Sequence, residues 1–254
     1  MSAGKIIHIV GTDTDVGKTV ATAALAATLI NQGKTVALYK PAQTGVRPQE
    51  IGDVQYAAAL SGATPYEGAR MLHPMAPVAA AAREGKTLPP LQEHRAKVEE
   101  LADQYDYVLV EGAGGVTVDL AEPLETGAGY ASQNQADLIE LLPPQAHTFI
   151  IARAGLGTLN HTALTQSYLY QRGIKAQGII IGAWPATPNE VEESNLQALT
   201  QQDLKVVAQL PAGAGKGFTV GYDKVLPFVE QELTHFRKNS TQWMEHAVTA
   251  LGMP

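Results

Sequence analysis

The chain has 254 residues, 45% of them hydrophobic and 17% charged, enough apolar material for a substantial core and a better fit to one α/β domain than to two small ones. A net charge of −7 argues against a broad nucleic-acid footprint, which needs a clustered basic face, so any anion must be caught locally. Cysteine is absent, which excludes disulfides, thiolate metal sites and a cysteine nucleophile and suits a cytoplasmic protein.

In chain order, MSAGKIIHIV passes almost directly into a strand-like run, with none of the ordered regions of a signal peptide. Short β-branched or aromatic runs follow at Ile6–Val10, Thr35–Lys40, Tyr107–Val110, Thr148–Ala152, Gln177–Gly182 and Lys205–Gln209. Most are continuously apolar, as strands covered on both faces are. Helical stretches at Lys18–Gln32, Val54–Leu60, Gln92–Gln104, Leu159–Arg172 and Asn189–Gln202 separate them. Such alternation predicts an α/β fold with a parallel sheet flanked by helices. Pro65–Pro90 is rich in Pro, Gly and Ala and reads as a partly helical excursion over the sheet's carboxyl edge. Near the end, Val225, Phe228, Val229, Leu233, Phe236, Trp243, Met244, Ala247, Val248 and Leu251 form one helical stripe, broken near Asn239 and Ser240, that suits a core-docking helix. No apolar run approaches the ~18 residues needed to span a bilayer, and no membrane partner is expected.

GTDTDVGKT, Gly11 to Thr19, lies between the first strand and the first helix. It is a variant of the phosphate loop: the slot for the first consensus glycine holds Thr12, with Gly11 one place too early. Gly17-Lys18-Thr19 still opens a helix, whose unpaired N–H groups and dipole favour an anion. Lys18 is placed to reach the outer phosphates, and Thr19 to offer its hydroxyl to Mg²⁺. Related irregular loops carry a second lysine five positions before the invariant one, reaching a partner's nucleotide across a dimer; that position is Asp13 here, which weighs against an ATP-driven switch protein.

YVLVEGAGG, Tyr107 to Gly115, is an apolar strand ending in Glu111, followed by glycines that let a ligand approach the backbone. Mg²⁺ takes one or two protein carboxylates along with phosphate and water oxygens, so Glu111 is a metal candidate. Asp53, before the helix starting at Val54, is either a second ligand or an ordinary helix N-cap. Lys40, in TVALYKPAQTG, stands at a strand's carboxyl end, where an open sheet presents ligands, or is a solvated strand-end lysine.

Together GTDTDVGKT, YKPAQTG, VEGAGG and GLGTLNHTALT resemble the dethiobiotin synthetase family, in that family's order from Gly11 to Thr165. The resemblance implies a homodimer with active sites at its interface, each using ATP, Mg²⁺, 7,8-diaminononanoate and carbon dioxide. It implies that Asp15, Val16, Gly17, Lys18, Thr19 and Val20 wrap the nucleotide phosphates with Gly112, Ala113 and Gly114 nearby, and that Thr19, Asp53 and Glu111 face Mg²⁺. Lys40 would be the catalytic lysine, while Thr14 and Lys18 contact the reacting phosphate and carbamate. Thr44 would touch the substrate, Asn160 would do so from the neighbouring subunit, and Pro211, Ala212 and Gly213 would meet the adenosine.

One departure stands out. Many family members read adenine with an Asn-Asp pair after the fifth strand, where this chain has Gly182 and Ala183 in IIIGAWPATP. A base read by few polar groups is poorly discriminated, so GTP or CTP is expected to substitute appreciably for ATP. Trp184 either stacks on the base or belongs to the core. The rival class is an ATP-switch protein of the partition or septum-positioning kind. Its membrane-surface helix would be plainly basic, whereas Arg237 and Lys238 are offset here by Glu230, Glu232 and Glu245. A corrinoid amidase of the same nucleotide-loop group needs a cysteine nucleophile that the chain lacks. The histidines show no metal-ligand spacing; His161 either orients the GTLNHT loop or is structural.

Overall fold

The computed structural model describes residues 3–127, 129–215 and 230–252. Val225, Phe228 and Val229 of the C-terminal stripe lie outside them. In chain order the elements are β1 (Lys5–Gly11), α1 (Lys18–Asn31), β2 (Val36–Gln43), α2 (Asp53–Ser61), β3 (Thr64–Arg70), α3 (Pro77–Arg83), α4 (Leu91–Ala102) and β4 (Tyr107–Glu111). There follow β5 (Leu124–Thr126), β6 (Gly129–Ala131), α5 (Gln135–Leu141), β7 (His147–Ala152), α6 (Thr158–Gln171), β8 (Gly178–Trp184), α7 (Glu190–Thr200), β9 (Val206–Pro211), α8 (Glu230–Trp243) and α9 (Glu245–Ala250).

Seven strands form one parallel sheet in the order β3-β2-β4-β1-β7-β8-β9. The β5–β6 hairpin is a separate antiparallel pair. Alternate residues of the central strands feed cores on opposite faces. Ile7 and Ile9 pack with α1, α2, α8 and α9, while Ile6 and Val10 pack with helices of the other face. α1 carries five buried alanines, Ala21, Ala23, Ala24, Ala26 and Ala27, which let it approach the sheet and two helices closely.

The chain first runs outward from β1 to β2 and β3, returns to β4, and then builds β7, β8 and β9 on the other side. β1 is therefore the switch point of the sheet, and the crevice beyond its carboxyl end is where such folds take ligands.

Two departures from the sequence expectations matter for that crevice. Pro65–Pro90 begins with an edge strand, β3, before the short helix α3. Its polar TPYEGAR sequence hides it, because a strand paired on one side alone needs no continuous apolar run. β2 also continues through Pro41 to Gln43. Its pairing with β4 stops at Tyr39–Val110, so the missing Pro41 N–H interrupts no β4 ladder. The C-terminal stripe packs as expected, with Leu233, Phe236, Met244, Ala247, Val248 and Leu251 in the core. Its break lies at Met244 instead of near Asn239 and Ser240. Both of those side chains bond back to carbonyls four residues earlier and leave α8 intact.

Candidate functional site

Gly17 has φ +95°, and its loop lies against β8 so closely that a Cβ on Gly182 would fall 2.0 Å from the Val16 carbonyl oxygen. Glycine at 182 is thus demanded by the seat of the loop. Asp15, at φ +57°, is the one positive-φ residue other than glycine among the described residues, a local strain of the kind found in ligand loops. Lys18 folds back and donates to the Asp13 carbonyl oxygen at 2.8 Å. Asp13 itself pairs with Arg153 beyond β7 at 2.6 Å, so the slot that holds a second lysine in related loops is occupied by an ion pair.

Strand register brings the next group in. Tyr39 pairs with Val110 and Ile9 with Glu111, so Lys40 comes level with Glu111 beside the loop. Lys40 Nζ lies 2.8 Å from Glu111 Oε1 and 2.7 Å from Asp53 Oδ2. Thr19 Oγ1 donates to Glu111 Oε1 and Thr22 Oγ1 to Glu111 Oε2, each at 2.9 Å. Gly52 is the N-cap of α2 and Asp53 the first helical residue, so the carboxylate is not used as a cap and is free to face Lys40.

Electrostatics separate the lysines. Burial pushes Lys18 down to about 8, with Glu111 opposing the shift. Burial also pulls on Lys40, but Glu111 and Asp53 outweigh it and hold the ammonium above the usual lysine range.

These groups open onto one cavity of about 810 Å³. Thr14, Asp15, Gly17, Lys18, Thr19, Val20, Lys40, Thr44, Asp53, Glu111, Ala113 and Gly114 all line it. The remaining sequence candidates stand outside that lining. Val16 is buried in the core, and Gly112 packs against Gln135, whose amide oxygen would lie 1.9 Å from a Cβ there. Pro211 ends β9 and Ala212 and Gly213 follow it, with the Ala212 N–H donating to the Trp184 carbonyl at 2.6 Å. Asn160 is exposed on the first turn of α6. Trp184 is half-buried at the end of β8, and buried His161 Nδ1 has no hydrogen-bond partner among the described residues.

Sequence reasoning missed Gln43, which lines the cavity, accepts the Asp53 N–H on Oε1 at 2.8 Å, and lies in the part of β2 beyond Lys40. It singled out none of residues 74–77, which line the cavity together with Thr44 and Gly45, although it placed the excursion that carries them over the sheet's carboxyl edge. Pro74 and Pro77 themselves were the available signal, since they fix a turn where the excursion leaves the sheet edge.

Two carboxylates and a hydroxyl converging beside a phosphate loop form an all-oxygen set of the hard kind Mg²⁺ prefers, and the Lys40 ammonium between them shows that the spot favours positive charge.

A family described as AAA domain matches residues 5–214. The ATP-dependent dethiobiotin synthetase BioD of Streptomyces avermitilis is 43% identical over 85% of this chain and 88% of its own length. The enzyme of the same name from Frankia casuarinae is 44% identical over 82% and 84%, and that of Rhodococcus jostii 43% over 83% and 88%. Among solved structures, an ATP complex of a Cyanothece McdA variant superposes with a TM-score of 0.55 at 13% identity, covering 100% of this chain and 98% of that one. The cell division ATPase MinD of Pyrococcus furiosus gives 0.51 at 15%, covering 95% and 98%. At those identities the likeness is one of fold, a P-loop NTPase-like sheet, and the switch-protein alternative is not favoured. With relatives matched across most of their length, and with the loop, lysine and strand-end carboxylate of the motifs meeting in one cavity, the chain belongs to the dethiobiotin synthetase family.

Proposed function

We propose that this chain uses ATP to carboxylate 7,8-diaminononanoate and close it to dethiobiotin, a step of biotin biosynthesis. One amine adds to carbon dioxide, losing a proton, to give a carbamate. A carbamate oxygen attacks the γ-phosphorus with ADP leaving, and a carbamic-phosphoric anhydride results. The second amine attacks its carbonyl carbon, phosphate departs, a further proton is lost, and the cyclic urea forms.

The observation that carries the reading is that Lys18, at the start of α1, and Lys40, within β2, open on the same cavity. Carbamate and triphosphate repel each other, so catalysis consists mainly of alignment and positive charge. In this reading Lys18 and Thr14 hold the reacting phosphate and carbamate, Lys40 holds charge developing between them, and residues 15–20 wrap the phosphates with residues 112–114 nearby. Thr19, Asp53 and Glu111 would hold Mg²⁺, which when bound neutralises phosphate charge. Thr44 takes the diamine from one side and Asn160 from the partner of a homodimer, while residues 211–213 meet the adenosine. The chain acts as one cytoplasmic domain, in keeping with the lack, among the described residues, of any helix long and apolar enough to cross a membrane.

The test is incubation with diaminononanoate, bicarbonate, Mg²⁺ and each nucleoside triphosphate, with dethiobiotin detected by mass. Product is expected with ATP, and appreciable product with CTP or GTP because position 182 carries no amide. Absence of a cyclic urea from any nucleotide overturns the function; a preference for ATP over CTP above ~100-fold in rate overturns the view that the base is weakly read.

A further inference from the structure

Three buried hydroxyls in the described helices turn back on their own helix, whereas those of Thr158 and Thr162 in α6 find no partner among the described residues. Thr28 donates to the Ala24 carbonyl at 2.8 Å, Ser61 to Ala57 at 2.7 Å and Ser240 to Phe236 at 2.8 Å. Thr22 is as buried as these, in the second turn of α1, yet its hydroxyl leaves the helix and donates to Glu111 Oε2 across the strand–helix interface. The other oxygen of the same carboxylate receives Thr19 and Lys40. Glu111 is 2% exposed, so water does not supply an easy substitute, and among the described residues Thr22 is the donor that Oε2 has.

From this division of labour between the two oxygens we infer that Thr22 is a positioning residue for Glu111. It holds Oε2 in a charge-assisted hydrogen bond and so keeps Oε1 turned to the cavity, facing Thr19, Lys40 and the divalent ion that accompanies the nucleotide. The inference rests on reading Glu111 as a metal-facing carboxylate. Without the Thr22 hydroxyl the carboxylate is free to rotate and to offer both oxygens to Lys40, and an arriving ion must then displace a stronger clamp. Thr19 cannot do this work, because its hydroxyl shares Oε1 and is itself a candidate ligand.

The experiment compares Thr22→Val, which keeps the shape and removes the donor, with Thr22→Ser, which keeps the donor and loses a methyl group. Mn²⁺ is titrated into each protein with ATP present, free Mn²⁺ is followed by electron paramagnetic resonance, and ATP binding is measured separately without metal. Thr22→Val is expected to weaken Mn²⁺ binding by about 10-fold while metal-free ATP binding stays within about 2-fold, and Thr22→Ser to recover to within about 3-fold of wild type. Mn²⁺ binding equal in Thr22→Val and wild type overturns the inference, as does Thr22→Ser being as weak as Thr22→Val, since packing and not the hydroxyl would then be responsible. If Thr22→Val does not fold, Thr22→Ala against Thr22→Ser asks the same question with the same outcomes. A wild-type protein that takes up no Mn²⁺ with ATP overturns the metal reading of Glu111 and the role of Thr22 together, a result distinguishable from either variant outcome.

Discussion

Glu111 and Asp53 meet at the same ammonium group, but the chain builds them in opposite ways. Glu111 ends a central strand whose backbone is held on both sides, by β1 and β2, and its side chain is 2% exposed. Asp53 begins a helix at the outer part of the sheet and is 43% exposed. Its place depends on side chains instead of a strand ladder. Gln43 accepts its N–H, Gln55 accepts that of Gly52, and Arg70 on the edge strand β3 ties Gln55, Glu67 and the carbonyls of Arg47 and Glu50 together. A strand end in mid-sheet positions a carboxylate through backbone hydrogen bonds, whereas a loop-to-helix junction needs a purpose-made clasp.

The most damaging change to this arrangement removes the cation both carboxylates share. Lys40→Ala is expected to lower turnover by at least ~100-fold, equivalent to ~2.7 kcal/mol in the barrier, while nucleotide affinity largely survives. Turnover within a few-fold of wild type would take Lys40 out of the chemistry. Next come the carboxylates themselves. Glu111→Gln leaves a buried lysine and two hydroxyls facing an uncharged amide and should reduce turnover by about 30-fold, whereas the more exposed Asp53→Asn should reduce it by about 5-fold. Equal losses in steady-state assays would erase the distinction drawn between the two positions.

A smaller effect probes the clasp alone. Arg70→Met is expected to raise the Mg²⁺ concentration for half-maximal rate by about 3-fold with little change in kcat, an effect passed through Asp53. An unchanged Mg²⁺ requirement would show that Gln43 and Gln55 suffice without the guanidinium. The mildest prediction concerns pH. Lys18, lowered to about 8 by burial, is charged below that value and neutral above it. ATP affinity should therefore be full at lower pH and decline as pH rises through about 8, by about 2-fold between pH 7 and 8. Lys40, held above the usual range by its carboxylates, adds no such limb. In Lys18→Arg the decline should vanish; a limb that persists belongs to another group.

The legible part of this protein is local. A strand, a loop of small residues and Gly17-Lys18-Thr19 opening a helix are contiguous, and so are an apolar strand and the Glu111 that ends it. The short β-branched or aromatic runs announced every strand of the seven-stranded sheet but β3, which escaped because its one-sided pairing tolerates Pro65, Glu67 and Gly68; the β5–β6 hairpin was not announced either. Asp53 stayed ambiguous for a related reason: an acidic residue at a helix start has a local use, and nothing nearby in the chain says that Gly52 takes that use instead.

What the amino-acid order determined by itself was the set of chemical groups and the backbone unit presenting each one, because phosphate loops and strand ends are made by neighbours in the chain. Only the tertiary structure decided which groups share a cavity. Lys40 reaches Glu111 through the register of β2 with β4, Asp53 reaches Lys40 through a clasp hung on β3, and Thr22 turns its hydroxyl to Glu111 because α1 packs on the central strands. Such contacts span tens of residues of sequence, and their geometry is set by the packing of two faces of a sheet, which no local pattern encodes.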